Sequence, residues 1–461
     1  MKKRSMLFIV AAAVVAFSSC KKDDENLPFN KLSVEENKAV VETSAVKAAQ
    51  TFDAMKDHEV VDAMVSLGGI LDSFDPMSVK KGEKSKFTKT VNAVGGLGTG
   101  ETGINELFSV LADPGELSDD PESIQEVWDE LVGTYTWNSG TERWDYEENA
   151  DAIIFLFPST TDGTTNNATL TISNYEGVVI ASPIDEDYDG DLPVSLNLEV
   201  DIDESVVLTY TFAVEYNDDG IPSSVASDLT MEPYKFSIDV TNNDEEISAT
   251  YQFTDDGDIV LKLHGSVEGD FTQENIDENT IIVTDTWEYT DYQWDETTQQ
   301  YEEVTVTETD EWEEVEIGGI IHTGRIKLQL FNISVGGVGN VTAIADGMEE
   351  IYPDDYWDDP DFSEEVAAQS EADLLNEHLQ LFAIDEDTRK KIADVEAYVV
   401  EDINDWGKDY YVDFRLVFGD GSLVDLETYF EEGFEDFVAE LNGIISDLNN
   451  KYDWYLDEIE Y

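Results

Sequence analysis

The spacing of apolar residues along the chain changes twice, and the changes divide it into regions. Between residues 34 and 75 apolar side chains recur every three or four positions, as at Val41, Ala45, Ala48 and Phe52. This spacing places them on one face of an α-helix. We therefore predict one or two amphipathic helices there, within a helical N-terminal region that extends over residues 34–132.

From Gly133 onward apolar and polar residues alternate with a period of two, which predicts β-strands. The alternating segments include 153–157, 168–173, 194–200, 206–216, 248–253, 259–264 and 281–289. Turn residues separate them at 217–220, 241–244 and 255–258, where Asn, Asp and Gly tolerate a positive φ. Because no segment of helical length interrupts the series, parallel crossovers are not expected. Residues 133–345 are thus predicted to form one long antiparallel β-meander.

Residues 346–461 have a mixed pattern, which we interpret as a C-terminal α/β region. A helix is predicted over 363–381 with Ser363 as its N-cap, followed by strands at 396–403, 410–417 and 423–426. The segment 428–455 is predicted to be a final helix. The expected fold class is therefore α+β, with a large curved antiparallel sheet packed against N-terminal and C-terminal helices.

An aromatic pattern occurs twice in the sequence. Tyr135-x-Trp137 and Trp144 flank one predicted turn, and Tyr292-x-Trp294 and Tyr301 flank another. Each copy is typical of a hairpin whose aromatic side chains face one another across the strands. Two copies are too few for a solenoid, so they indicate either paired edges of one sheet or an old duplication.

The charge of the chain limits its partners. It carries 105 acidic against 25 basic residues, a formal net charge of −80. So strong a negative charge repels nucleic acid, so we expect no nucleic-acid partner. The 41% content of hydrophobic residues is sufficient for a packed core.

The first twenty residues have the organisation of an export signal. Three basic residues, Lys2, Lys3 and Arg4, precede the twelve uncharged residues 6–17, and the single cysteine of the chain, Cys20, follows. Twelve apolar residues are too few to cross a bilayer, which needs about 20. A basic start followed by a short apolar run is typical of a secretory signal peptide, here residues 1–19.

The residues around the cysteine, Phe17-Ser18-Ser19-Cys20, resemble the lipobox of bacterial lipoproteins, although Phe17 and Ser19 depart from its commonest residues. The resemblance implies cleavage before Cys20, lipidation of its thiol and a lipid anchor. The residues that follow are similar to the surface-export signal of Bacteroidota lipoproteins: Lys21, Lys22, Asp23, Asp24 and Glu25. That second resemblance implies that the protein faces the cell exterior from the outer membrane. We expect residues 20–33 to form a charged tether.

An acidic turn within the meander has part of the pattern of a calcium loop. Its acids are Asp185, Asp187, Asp189 and Asp191, and Gly190 stands where such loops turn sharply. Leu196 occupies the position at which a calcium loop carries a bidentate glutamate. A structural calcium ion and a solvated acidic turn are the two alternatives. Thermal melting with millimolar Ca²⁺ separates them, because a bound ion raises the melting temperature.

The sequence favours a binding or structural role over catalysis. We predict no catalytic residues: the only cysteine is assigned to lipidation, and the four histidines lie on unrelated segments. We expect no cofactor other than the calcium alternative. Four tryptophans, Trp137, Trp144, Trp287 and Trp294, could stack on sugar rings or stabilise hairpins. The expectation is a non-catalytic surface lipoprotein; the alternative is an accessory protein that binds or degrades polysaccharide.

Overall fold

The computed structural model describes most of the chain after its first 25 residues. The described residues are 26–55, 57–74, 128–129, 131–149, 151–181, 191–218, 220–295, 300–353, 362–404, 407–431 and 434–452. The predicted helical N-terminal region of residues 34–132 is therefore described mainly up to residue 74.

Helices and strands are numbered here in chain order over these residues. The helices are α1 (Val34–Met55), α2 (Glu59–Phe74), α3 (Gln273–Glu278), α4 (Ile317–Ile320), α5 (Val341–Ile351), α6 (Glu364–His378), α7 (Leu426–Glu431) and α8 (Glu435–Tyr452). The first nine strands are β1 (Gly133–Asn138), β2 (Arg143–Glu147), β3 (Ala152–Phe157), β4 (Ala168–Val179), β5 (Asp191–Ile202), β6 (Ser205–Tyr216), β7 (Pro222–Met231), β8 (Tyr234–Asn242) and β9 (Glu246–Asp255). The others are β10 (Asp258–Gly269), β11 (Thr280–Asp295), β12 (Gln300–Val315), β13 (Ile321–Leu330), β14 (Ile333–Asn340), β15 (Leu379–Asp385), β16 (Lys390–Asn404), β17 (Gly407–Phe418) and β18 (Leu423–Asp425).

Sixteen of these strands form one large curved sheet that is predominantly antiparallel. Its order is β18-β17-β16-β15-β14-β13-β10-β9-β8-β7-β6-β5-β4-β3-β1-β2. The predicted antiparallel meander is confirmed, with one exception: β1 pairs with β3 in parallel. The sheet also continues through β15 to β18, so residues 346–461 extend the meander of residues 133–345. Strands β11 and β12 form a separate two-stranded sheet.

The turns between neighbouring strands lie where Asn, Asp and Gly predicted them. Between β9 and β10, Asp256 and Gly257 adopt φ values of 50° and 84°. Both residues of a type I′ hairpin turn require a positive φ, which explains the Asp-Gly pair. Between β6 and β7, the backbone N–H of Gly220 donates to the carbonyl of Asn217.

The N-terminal helices pack on one face of the sheet. The fully buried Val60, Leu67 and Leu71 of α2 lie in one apolar cluster with Phe155 of β3 and Phe253 of β9. Phe52 of α1 stacks on Phe253 with ring centroids 5.1 Å apart. Burial of several large side chains, each contributing about 1.5–3 kcal/mol, makes this contact the main hydrophobic core.

The C-terminal region differs in detail from its prediction. Ser363 caps α6 as expected, because its hydroxyl accepts from the N–H of Val366. The helix ends at His378, however, and Leu379 begins β15, so the predicted helix over 363–381 is three residues too long. The predicted helix over 428–455 is replaced by α7 and α8. Tyr429 and Phe434 pack near Phe418, beside the β14–β17 part of the sheet.

The two ends of the central strands carry different structures. The turns at β9–β10, β13–β14 and β15–β16 lie at one end, here called the tether end, because Leu330 pairs with Leu261 and Ile333 pairs with Asp385. At the other end Gly269 of β10 pairs with Ile321 of β13. The β11–β12 hairpin is inserted between these two strands, so it leaves the sheet at the end opposite the tether end.

The tether end takes its name from the residues that follow the predicted lipidation site. The backbone carbonyl of Lys391 in β16 accepts from the backbone N–H of Asn30, and the backbone N–H of Lys391 donates to the carbonyl of Pro28. Phe29 therefore forms a parallel bridge with Lys391. Twelve-residue β10 rises about 3.4 Å per residue, which separates the tether end from the start of the hairpin by about 37 Å.

We expect Phe155→Ala to lower the free energy of unfolding by about 3–5 kcal/mol, because it leaves a cavity under α2. Urea denaturation of the full chain measures the change. Val366→Ala, at a position 64% exposed on α6, is the control and should change stability by less than about 0.5 kcal/mol. Equal effects of the two substitutions would contradict this assignment of the core.

Candidate functional site

The β11–β12 hairpin is a long ribbon whose two faces differ chemically. Each strand has sixteen residues, and the register pairs Val283 with Trp312, Trp287 with Glu308 and Tyr289 with Val306. Directly opposite residues of an antiparallel pair share a face, and alternate residues of one strand do so as well. The odd-numbered residues of β11 and the even-numbered residues of β12 therefore lie on one side.

This side carries an exposed row of apolar side chains, here called the aromatic face. Its described members are Ile281, Val283, Trp287, Tyr289, Val306 and Trp312. The two tryptophans are 39% and 45% exposed and Tyr289 is 41% exposed. From Ile281 to Tyr289 the row extends over about 27 Å. The Asp285–Asp310 pair interrupts the row between Val283 and Trp287. Several large apolar side chains exposed on one face of a soluble protein typically mark an interaction site.

The opposite face of the hairpin is built mainly of threonine. Thr284, Thr286, Thr307 and Thr309 are exposed there, and the hydroxyls of Thr286 and Thr309 lie 3.2 Å apart. Threonine fits a pleated surface through its β-branch and keeps a polar group toward solvent. Ile282, which is 69% exposed, adds one apolar side chain to this face. Over the described side chains, both faces of the hairpin are thus exposed to solvent.

Two of the tryptophans proposed for sugar stacking instead pack within the protein. Trp137 and Trp144 pair across β1 and β2 with ring centroids 5.3 Å apart. Trp144 also lies 5.3 Å from the ring of the fully buried Phe155. The expected facing of aromatic residues across this hairpin is confirmed, and both rings contribute to the main core.

The second copy of the aromatic pattern forms a hairpin too, but in a different setting. Trp294 pairs with Tyr301 in the register of β11 and β12. The side chain of Trp294 lies outside the described residues. Because the two copies lie in different sheets, they do not form paired edges of one sheet. The repeated aromatic pattern does not include Trp287 and Trp312, which are the tryptophans that this hairpin exposes to solvent.

A second candidate is an open cleft at the tether end, with a volume of about 730 Å³. It lies between α1 and three turns of the sheet. The polar and charged groups that line it include Thr43, Ser44, Lys47, Asp258, Asn332, Glu386 and Asp387. Lys47 Nζ lies 5.0 Å from the centroid of the Phe331 ring, within range of a cation–π contact. These groups can hydrogen-bond a small polar molecule.

The most strongly bound group in this cleft is the carboxylate of Glu386. Its Oε1 lies 2.5 Å from Lys327 Nζ and accepts from Ser334 Oγ at 2.6 Å, and its Oε2 accepts from Arg389 Nη1 at 2.6 Å. Burial raises the pKa of Glu386, but the hydrogen bonds from Lys327, Ser334 and Arg389 and the charge of Lys327 outweigh burial and hold this pKa below its ordinary value. Glu386 is therefore a charged cross-link between β13, β14 and the β15–β16 turn.

The cleft is better explained by this internal bonding than by ligand binding. Ser44 Oγ already donates to Asn332 Oδ1 at 2.6 Å, which ties α1 to the β13–β14 turn. The backbone N–H of Glu386 donates to the carbonyl of Asn332, 2.6 Å away. The polar groups thus hold the helix and the turns together. The aromatic face remains the stronger candidate for a binding site.

The four histidines lie on separate elements or loops, as the sequence indicated. His58 precedes α2 and contacts the carbonyl of Glu232 at 3.1 Å. His264, in the middle of β10, lies 2.6 Å from Thr250 Oγ1, and burial lowers its pKa, as does the charge of Lys262. His264 is thus neutral at pH 7 and bonded within the sheet.

Several residues proposed from the sequence lie outside the described part of the chain. These are Cys20, the export residues Lys21 to Glu25, and Asp185, Asp187 and Asp189 of the acidic turn. Asp191 begins β5, where its backbone pairs with Val179. Over the residues that are described, three or more His, Cys, Asp or Glu side chains are nowhere grouped so as to hold a metal ion.

Comparison with known proteins adds no assignment. No protein-family model matches the chain, and no curated protein sequence matches it. Within the described ranges, none of the helices combines the length and the apolar character needed to cross a membrane.

We expect Glu386→Gln to lower the free energy of unfolding by about 1–3 kcal/mol at pH 7, since a charged acceptor of three hydrogen bonds is lost. The folded-state pKa lies below the ordinary value of 4.5. The stabilisation is therefore fully present above that value and is lost as the pH falls through the folded pKa. Urea denaturation at pH 7 and at pH 3 measures the difference between wild type and variant.

The control for this prediction is Asp228→Asn. Asp228 pairs with Lys235 at 3.0 Å, but both side chains are nearly half exposed. Such pairs contribute less than about 1 kcal/mol. A Glu386→Gln effect that is no larger, or that grows as the pH falls, would contradict the cross-linking role.

Proposed function

We propose that the protein is a lipid-anchored outer-membrane lipoprotein that faces the cell exterior and acts as a non-catalytic binding module. The observation that carries the binding role is the aromatic face of the β11–β12 hairpin, with Trp287, Tyr289 and Trp312 exposed. The anchor is inferred from the lipobox at Cys20, and the outward orientation from the charged residues that follow it.

The position of the tether supports an orientation in which the hairpin points outward. Pro28, which bonds to β16, lies eight positions after Cys20. The segment between them extends at most about 28 Å, so an anchored Cys20 would keep the tether end close to the membrane. The hairpin leaves the sheet at the other end. We infer that an anchored molecule presents its aromatic face to the medium rather than to its own membrane.

The helices complete an α+β arrangement in this proposal. The N-terminal helices cover the larger part of one sheet face, and Tyr429 of α7 and Phe434, which precedes α8, would cover the β14–β17 part. Such a rigid body is suited to holding a binding ribbon at a fixed distance from an anchor.

A polysaccharide-binding accessory role is the second candidate. The exposure of Trp287 and Trp312 favours it, because indole rings stack on sugars. Trp137 and Trp144 do not contribute to it, since both pack in the core. The charge around the aromatic face decides whether a polysaccharide or another kind of ligand binds there.

The anchor is tested by expression in a Bacteroidota host with the native leader. We expect wild type to lack residues 1–19, to carry lipid on Cys20 by mass spectrometry, and to be cleaved by protease added to intact cells. Cys20→Ala should abolish the lipid and release the chain from the membrane fraction.

The export residues are tested in the same host. Replacing Lys21 to Glu25 with alanine should retain the lipid but protect the chain from external protease. A native chain that keeps residues 1–19, or that has an unmodified thiol at Cys20, would contradict the proposal.

A further inference from the structure

We propose that the aromatic face of the β11–β12 hairpin binds a basic polypeptide segment, rich in arginine or lysine, of another protein. This inference deepens the proposed binding function and rests on it for the identity of the site. The site consists of the described apolar row from Ile281 to Tyr289 on β11 and Val306 and Trp312 on β12.

The charge of the hairpin selects the class of partner. Its two sixteen-residue strands contain eleven acidic residues and no lysine or arginine. The acids alternate with the aromatic residues in the register: Trp287 pairs with Glu308, and the neighbouring pair is Asp285 with Asp310 two residues away. A cationic partner gains from this field, whereas an anionic one is repelled.

Aromatic rings among carboxylates suit guanidinium and ammonium groups in particular. A cation over the face of a tryptophan or tyrosine is attracted by the ring, most strongly by tryptophan. The exposed ring surfaces of Trp287, Tyr289 and Trp312 provide such positions. The acidic composition of the two strands adds a negative charge that attracts the same cations. Isoleucine and valine on the same face accommodate the aliphatic stems of long basic side chains.

Other occupants fit the face less well. A second copy of this chain would bring another eleven acids against the first eleven. An anionic lipid surface is repelled for the same reason, and the hairpin leaves the sheet about 37 Å from the tether end. A neutral polysaccharide could stack on the rings but would gain nothing from the acids. A basic polypeptide is attracted both by the aromatic rings and by the negative charge.

The test uses the full-length protein purified in detergent and a fluorescein-labelled deca-arginine peptide in 150 mM NaCl. Fluorescence anisotropy measures the Kd. We expect the double variant Trp287→Ala/Trp312→Ala to raise the Kd about tenfold, through loss of two cation–π contacts. Tyr411→Ala removes an aromatic residue that is 49% exposed on β17 and should leave the Kd unchanged.

A second variant separates loss of the rings from loss of the fold. Trp287→Leu/Trp312→Leu keeps apolar side chains on the hairpin but removes their π faces. We expect the same weakening of peptide binding, with an unchanged thermal melting curve. Equal peptide affinity for wild type and both double variants would show that net charge alone attracts the peptide, and would overturn the proposal.

Two other results would also overturn it. One is binding of a neutral polysaccharide, hydroxyethyl cellulose, that depends on both tryptophans while peptide binding does not. The other is a dimer, seen by sedimentation, that Trp287→Ala/Trp312→Ala dissociates.

These outcomes are independent of the anchor. Lipidation at Cys20 and protease accessibility on cells do not depend on peptide affinity, so failure of this inference leaves the localisation proposal standing. Failure of lipidation, in turn, does not affect binding measured with purified protein.

Discussion

The packing of α1 and α2 against one face of the sheet is the interaction on which the rest of the structure depends. A predominantly antiparallel sheet of sixteen strands must cover its apolar face, and here Leu67, Leu71 and their neighbours do so over Phe155 and Phe253. The described core contains one long continuous cluster and several smaller ones. Since Cys20 is the only cysteine, the chain has no internal disulfide to supplement this burial.

The strong negative charge acts against compactness, and the basic residues are placed where they counter it. Lys327, Arg389 and Lys391 lie around the β15–β16 turn, where each contacts a carboxylate. Lys391 is largely buried and also lies over the Phe382 ring. With so few cations in the chain, their concentration beside the tether bridge stabilises the end of the sheet to which the N-terminal residues bond. The hairpin at the other end has none.

The sequence predicted the strands and most of their sequential antiparallel pairing, but not what covers each face of a strand. Alternation identified the strands, and Asp256-Gly257 fixed a turn, because both effects depend on neighbouring residues. The same alternation could not show that β10 lies in the large sheet and β11 in a separate hairpin. A period of two indicates that a strand has two different faces, but not what covers each face. For this reason Trp144, which meets Phe155, and Trp287, which meets solvent, were equivalent in the sequence. The end of α6 at His378 was missed because the apolar residues of β15 also fit a helical period.

The bridge between Phe29 and Lys391 determines how mechanical load would enter the molecule. The tether segment runs parallel to β16 and holds it through two backbone hydrogen bonds, while Phe29 fills the space above Gly419. A drag force on the body, opposed by a fixed N-terminus, would reach the sheet interior at β16. This short contact lies between the N-terminus and α1, so it would carry the load before the helix does. The two backbone hydrogen bonds and the Phe29 ring would therefore protect α1, the helix that covers the core, from the applied force.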